Sequence, residues 1–521
     1  MSSTRFLSGL LALSMAAFAA TPARAQQQLG AIQGTITDQT KGVLPGATVT
    51  VTNLDTGITR TATSNEAGVY RVPSLDPGRY KVTAELQGFR TAAQSDLVLS
   101  VGATLGVNFT MQTGALEETI QVAAVAPDIQ TEKADISAVV EQKKIVDLPL
   151  VGRNVLSLAA LQPGINGIPS TADFLVPEQG LGVTANGVRE TGNNAMVDGA
   201  SINNGPWGGT MIIVPNVEAV QEFQVIANNP SAEYGRNAGA TVSVITKGGT
   251  NQFSGSLFEF HRDQDLRSKG YFEPTKAPFK RNDFGGSIGG PIKRDNAFFF
   301  FSYEGVRELN PNSFQQIVES KQLVDFVNAT RPNSNAARLF RDFAPPSYPT
   351  TGLQDVGSPL PGANVWSNTP DGIPDIGTIN VVQDGNREGD QFNGRFDQMM
   401  RSGRDRLRAT YYFSRSESPY LYVRPQFNHP YPFKDQLLNV NHTTMFSNRT
   451  LNEITFGYLR QDGHAEDPTP EAPTIPGNNS VGNGVAGFGV EFWPHRVHPE
   501  QHPVQGHADA RARPALVPHG R

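Results

Sequence analysis

Residues 296–304 read NAFFFFSYE, four phenylalanines in succession with Tyr303 close behind. They sit in a chain of 521 residues with a formal net charge of −6 and a mean hydropathy of −0.34. So apolar a run in a polar-leaning chain is either the core strand of a soluble β-protein or a strand with one face in lipid. Its neighbours decide. Ser254, Ser256, Phe258 and Phe260 alternate with Gly255, Leu257 and Glu259, and Asn282, Phe284, Gly286 and Ile288 continue the style. Residues 391–417, QFNGRFDQMMRSGRDRLRATYYFSRSE, read as a hairpin turning near Ser402-Gly403. Residues 437–461, LLNVNHTTMFSNRTLNEITFGYLRQ, read as another, turning near Asn448. Amphipathic strands of about nine to eleven residues, with short turns at one end and long polar segments at the other, suit a transmembrane barrel. Phe298 to Phe301 break strict alternation, so one pair has to face inward. The stretch 310–388, rich in Pro, Asn, Asp and Gly, fits an extracellular loop.

The bulk composition agrees. After the first thirty residues no run approaches the roughly eighteen apolar residues that a transmembrane helix needs, so any span is made of strands. No basic excess points to nucleic acid. Cysteine is absent, which excludes disulfide frameworks, thiolate metal sites and cysteine nucleophiles. The opening MSSTRFLSGLLALSMAAFAATPARAQQQ has a positive Arg5, an apolar stretch from Phe6 to Ala20 and the small-x-small site Ala23-Arg24-Ala25. This predicts a signal peptide over 1–25, cleaved between Ala25 and Gln26.

Residues 29–113 alternate cleanly. Tyr80, Val82, Ala84 and Leu86 share one face, as do Leu105, Val107, Phe109 and Met111, while Ala47, Val49 and Val51 oppose Thr48, Thr50 and Thr52. A period of two marks half-buried strands. Pro45-Gly46 and Pro77-Gly78 supply turns between them, and the spacing predicts a β-sandwich. Residues 114–136 read as a linker containing a short extended run, Glu118-Thr119-Ile120-Gln121-Val122. Further on, Asn154 is placed to cap a short helix presenting Val155, Leu158 and Ala159, which Pro163-Gly164 ends. Two strands are expected around Gly192-Asn193-Asn194, and another from Ala240 to Thr246. From about Gly487 the alternation stops. Five of the nine histidines lie in the last 27 residues, at irregular spacings that no carboxylate pattern supports, which argues against a metal segment. Out-of-frame translation is the reading preferred for this tail.

Two resemblances organise these readings. The words GTITDQTKGVLPGATVTVTN and SNEAGVYRVPSLDPGRYKVTAELQGF resemble the carboxypeptidase regulatory-like domain, a prealbumin-like sandwich. A zinc peptidase would need a His–Glu pair and a distant His. No histidine here has a glutamate three residues on, so the domain is read as an accessory module. The letters Gly285-Gly286-Ser287-Ile288-Gly289 spell G-x-S-x-G but fall inside an alternating strand run rather than at a strand-to-helix elbow, and no helical H-E-x-x-H occurs, so the chain is read as a non-enzyme without cofactor.

DLPLVGRNVLSLAALQPGI, NGVRETGNNAMVDGASIN and VEAVQEFQVIANNPSAEYGRNAGATVSVITKGGTNQFSGS resemble the plug domain of TonB-dependent outer-membrane receptors that carry such a sandwich ahead of the plug. The resemblance implies a mainly β chain: sandwich 29–113, linker 114–136, α+β plug 137–250 and the start of a barrel over 251–478, with about seven of the family's twenty-two strands. It implies the outer membrane of a Gram-negative bacterium, with contacts to outer-membrane lipid, the TonB periplasmic domain and an unidentified extracellular ligand. Glu118 to Val122 would be the TonB box, and Arg189, Asn193 and Asn194 would approach the ligand. An unclosed sheet leaves edge N–H and C=O groups in hydrocarbon, so the reading is of a truncated or frameshifted receptor with a disordered tail over 479–521. The competing reading is an exported β-rich adhesion or carbohydrate-binding protein without a spanning barrel.

Overall fold

The computed structural model describes residues 29–114, 119–121, 136–148, 150–167, 173–176, 182–203, 211–230, 234–235, 238–269, 276, 278–356, 370–425, 428–447, 450–463 and 509–516. The expected signal segment and its cleavage pair, Ala25 and Gln26, lie outside these residues.

Two sheets face each other in the N-terminal domain. In one, Gly30–Asp38 pairs antiparallel with Val69–Leu75 and parallel with Thr104–Gly106 and Phe109–Met111. In the other the order is Thr59–Thr63, Thr48–Asn53, Gly78–Glu85, Thr91–Leu99 and Thr119–Gln121. The alternating residues meet between them: Ile32, Val49, Val51, Val82, Ala84, Phe109 and Met111 are buried. Within the first sheet Tyr70 reaches across Gly34, its hydroxyl donating to the Val107 carbonyl at 2.6 Å. That carbonyl also fixes the identity of Gly34, where an added Cβ would stand 1.8 Å from the Val107 oxygen.

The central domain is built on a five-stranded sheet in the order Ile136–Glu141, Val220–Asn228, Thr241–Thr246, Asn194–Val197, Ala200–Ser201. Ile136–Glu141 is an edge strand, antiparallel to Val220–Asn228. The predicted short helix is a 3-10 helix, Val155–Leu161, capped by Asn154, whose Oδ1 accepts from the Leu156 N–H at 3.0 Å. The two strands expected around Asn193 belong to different sheets: Val183–Ala185 pairs with Ile165–Gly167, whereas Asn194–Val197 joins the five-stranded sheet.

Eight antiparallel strands form one continuous wall: Ser254–Asp263, Lys280–Lys293, Ala297–Leu309, Arg387–Met400, Asp405–Tyr420, His429–Ser447, Thr450–Gly463 and Asp509–Leu516. Its first and last strands are not paired with each other, and the sheet is open. Each strand sends alternate residues to opposite faces, and the phenylalanine run obeys this. Phe298 and Phe300 are 1% and 6% exposed on the inner face, while Phe301, at 43%, points outward. The other strands show which face is which. Gln391, Asn393, Arg395 and Asp397 face inward, as do Arg406, Arg408, Thr410 and Ser414. Phe392, Tyr411 and Phe413 face outward, where their rings form a ladder with Phe301 at centroid separations of 5.1 to 6.1 Å. Leu257 (93% exposed) and Ile288 join the outer band. A soluble sandwich puts its apolar face inside, and this wall does the reverse.

Two expectations are corrected. The stretch read as an extracellular loop is not irregular but a folded lobe, which leaves its side of the membrane as expected: Pro311–Glu319, Ile376–Asp384 and Thr351–Gln354 form a three-stranded sheet beside helices Lys321–Thr330 and Asn335–Asp342. Ser320 and Ser334 cap the helices through Leu323 N–H and Ala337 N–H, and Val318, Ile379 and Val381 form a small core. The tail read as disordered contributes a strand, Asp509–Leu516, antiparallel to Thr450–Gly463. An edge strand offers unpaired backbone groups to any segment able to extend, and Pro514 is tolerated because this strand is itself an edge.

Gly34→Ala drives a methyl group into a backbone carbonyl that cannot retreat. Overpacking of this kind typically costs about 1–3 kcal/mol. Limited proteolysis of the full chain should show faster cleavage within 29–114 and unchanged cleavage in the wall; an unchanged sandwich pattern would mean that the Val107 segment shifts freely away from Gly34.

Candidate functional site

The inner face of the wall is polar, and the central domain packs against it. Buried polar and charged groups need partners, and these occur in tiers from the lobe end to the sandwich end. At the lobe end, Arg281 (3% exposed side chain) is clasped by Asp173 of the central domain and by Asp283 and Glu308 of the wall, the last two at 2.7 and 2.9 Å. Arg387 adds a second contact to Glu308 at 2.9 Å.

In the middle, Arg153 of the central domain meets Glu304 at 2.7 Å, with its guanidinium 4.2 and 4.6 Å from the Phe258 and Phe260 ring centroids. Gln391 donates to Glu304 at 2.8 Å and itself accepts from the Tyr412 hydroxyl at 2.7 Å. Nearer the sandwich, Asp198 accepts from the Thr246 N–H (3.0 Å), the Thr246 hydroxyl (2.6 Å) and the Thr410 hydroxyl (2.8 Å), and its own carbonyl accepts from Asn439 (2.6 Å).

The last tier ties in the sandwich. Asp397 holds Arg395 at 2.7 Å and Arg408 at 3.0 Å. Arg408 and Arg406 then reach Asp76, in the Pro77-Gly78 turn of the sandwich, with Arg406 at 2.6 Å. Burial alone would raise the Asp76 pKa, but the charges of Arg406, Arg408 and Arg395 outweigh it and hold the carboxyl well below the usual range. The Gln221 side chain donates to the Pro77 carbonyl at 3.2 Å, and the Val101 N–H donates to the Glu222 carboxylate. Glu222 behaves oppositely to Asp76. Burial is the largest cause and nearby Glu141 adds to it, while the Val101 bond opposes them; the net effect pushes its pKa up to about 7.

Of the sequence-predicted residues, Thr119, Ile120 and Gln121 form a strand parallel to Thr91–Leu99, with Ile120 opposite Ala92. The run read as a TonB box is thus stored as the outermost strand of a sandwich sheet; Glu118 and Val122 lie outside the described residues. Asn193 and Asn194 do not form a ligand surface. Both are buried; Asn193 accepts from the Ala240 N–H at 2.9 Å and donates to the Val183 carbonyl at 2.8 Å, and Asn194 is paired with Thr241. Their amides brace the central domain, while Arg189 is exposed. Asp76, Asp173, Asp198 and Arg153 were not singled out by sequence. The one visible signal lay in the wall, where Arg406 and Arg408, two apart in a strand, must share a face. Among the described residues no three His, Cys, Asp or Glu are grouped to hold a metal.

A cavity of about 740 Å³ opens at the lobe end, lined by Lys280, Arg307 and Arg387 together with Glu308, Asp384 and Glu388.

An apolar outer band, a polar inner face and a domain ion-paired to that face define an outer-membrane β-barrel protein. Residues 245–505, half of the sequence, match the outer membrane beta barrel domain family, and the chain belongs to it. Residues 31–112 match the carboxypeptidase regulatory-like domain. The chain is 28% identical over 294 residues to the TonB-dependent transporter Oar of Myxococcus xanthus, a match covering 53% of this chain and 26% of that protein. It therefore spans about a quarter of that relative's length. Solved structures with a similar course include the outer membrane transporter YddB of Escherichia coli (13% identity, 64% of this chain and 39% of that one, TM-score 0.43). Another is a mutant ferric enterobactin receptor of Pseudomonas aeruginosa (14% identity, 64% and 42%, TM-score 0.38). The family places the protein in the outer membrane of a Gram-negative bacterium.

Glu222 yields a pH signature. Its pKa is raised on folding, from 4.5 to about 7, so its contribution to stability is full below 4.5 and is lost as pH rises through 7. The loss is at most about 3 kcal/mol. Glu222→Gln should flatten stability across this window in thermal melts at successive pH values, and a variant retaining the wild-type slope would assign the titration to another group.

Proposed function

We propose that the chain comprises the sandwich, plug and first wall strands of a TonB-dependent receptor that takes up a ligand across the outer membrane. The observation that carries this reading is the central domain held against an inward-facing polar wall by tiers of hydrogen bonds and ion pairs, beside apolar contacts at Tyr412, Leu437 and Val306. Polar contacts of this kind have water as an alternative partner, at a net cost of about 1.5–3 kcal/mol per hydrogen bond to a charged group, so a plug secured by them can move without unfolding once water reaches them. An adhesion protein with no spanning barrel would have no use for the apolar outer face.

In this reading the ligand enters from the lobe end, where the charged cavity favours a polar molecule, and Arg189, exposed on the central domain, is a candidate contact. Thr119 to Gln121 is the strand that the TonB periplasmic domain captures by edge addition. Capture either displaces it from Ala92 or extends the sandwich sheet across it. A pull then travels through the linker to Ile136–Glu141, which is the edge strand of the plug sheet and is the first to peel away.

Ile120→Pro removes a backbone donor from the coupling strand and should weaken co-purification with the TonB periplasmic domain at least about tenfold, or 1.4 kcal/mol; undiminished binding would move the coupling strand elsewhere. The two capture routes separate in a second variant. Ala92→Cys with Ile120→Cys introduces the chain's only cysteines. If capture requires displacement, oxidation abolishes TonB binding and reduction restores it. Equal binding in both states means that TonB adds to the outer edge of the stored strand.

A further inference from the structure

Four guanidinium groups converge where the sandwich meets the wall: Arg60 from the sandwich strand Thr59–Thr63, and Arg395, Arg406 and Arg408 from two adjacent wall strands. Three carboxylates answer them. Asp397 takes Arg395 and Arg408, Asp76 takes Arg406 and Arg408, and the charge of Asp198 reaches Arg408. Asp55, at the rim, is paired with the exposed Arg79 at 2.8 Å. The remaining cation, Arg60, makes no ion pair among the described residues, although the shared Asp76 charge acts on it. It is 6% exposed, and its Nη1 donates to the Met445 sulfur at 3.1 Å. Its Nη2 has no hydrogen-bond partner among the described residues. Burial and the nearby Arg406 lower its pKa to about 10, so it remains a cation at neutral pH.

An unpaired buried cation is among the least tolerable features of a protein interior, and unsatisfied buried donors are rare in native folds. Here they cluster. Arg406 Nε and the Ser74 hydroxyl, both fully buried, also have no partner among the described residues. Arg60, Ser74 and Arg406 line one cavity of about 100 Å³, which Asn53, Tyr80 and Phe298 help to enclose.

We infer that this cavity binds one small monovalent inorganic anion, chloride or an ion of similar size, held by Arg60 Nη2, Arg406 Nε and the Ser74 hydroxyl. The donor set supplies the single charge that the cluster lacks, and the volume excludes large organic anions. Two of the donors belong to the sandwich and one to the wall, so the ion joins the two bodies and the sandwich's attachment depends on it. This inference stands whether or not Thr119 to Gln121 engages TonB.

The test uses the full chain in detergent at fixed ionic strength, with chloride exchanged stepwise for gluconate, which is too large for the cavity. Wild type should show a saturable rise in melting temperature with chloride, as a ligand that binds only the folded state requires. Arg60→Met, which keeps the stem and removes the charge, should lose the saturable rise and melt in gluconate no lower than wild type does. Ser74→Ala, which leaves the charges in place, should keep the rise but shift its midpoint to about tenfold higher chloride, the loss of one hydrogen bond of about 1.4 kcal/mol. A wild-type melting temperature indifferent to chloride would mean that water alone satisfies these donors, and the inference would fall. An unchanged chloride response in both variants would overturn it equally, by placing the ion elsewhere.

Discussion

Everything inside the wall depends on pairing charge in a place that water reaches poorly. The outer face is apolar, so the polar members of each alternating strand have only the inside to face. Once there, Arg281, Glu304, Arg395, Asp397, Arg406 and Arg408 are too buried to rely on solvent. Some partners stand on the wall itself, such as Asp283 for Arg281 and Asp397 for Arg395 and Arg408, and the central domain adds Asp173, Arg153 and, bonded to Thr410, Asp198. Breaking a buried pair by deleting one member costs about 3–5 kcal/mol, because the other charge is left stranded. The same chemistry that positions the central domain therefore couples it to the wall, tier by tier.

The coupling continues into the sandwich. Asp76 lies in a turn whose local role, reversing the chain before Gly78–Glu85, would be met by many residues. Its carboxylate is instead shared between Arg406 and Arg408, which makes a hairpin turn the junction between two domains. Glu222 contributes at the same junction from the central domain through the Val101 N–H. The sandwich is thus attached to both the wall and the domain lodged within it.

Much of the architecture was legible in the sequence, for a definite reason. Alternation survives in the text wherever the two faces of a strand meet different media, as in Tyr80, Val82 and Ala84 or in the arginines and aromatics of residues 405–413. The inward placement of Phe298 and Phe300 followed from the same rule. What escaped were features decided by distant residues. Asp76 and Arg406 are separated by 330 positions, and nothing local marks either as the other's partner. Asn193 and Asn194 looked like turn residues free to meet a ligand, and only the arrival of Ala240 and Thr241 alongside them turns both inward. The lobe was hidden by its Pro, Asn and Gly content, although Ser320 and Ser334 were readable as helix caps. The strand Asp509–Leu516 alternates only briefly, Asp509, Arg511 and Arg513 against Ala510 and Ala512, in a tail otherwise without period; it is paired to the edge on which it lies.

The location of the sandwich bears on kinetics. It contacts the wall near the turns at Asp295, Gly403 and Met445 and touches the central domain between them. The sandwich is therefore clasped from two sides, and freeing it means breaking contacts to the wall and to the central domain together, so that its release is a cooperative event rather than the loosening of one joint.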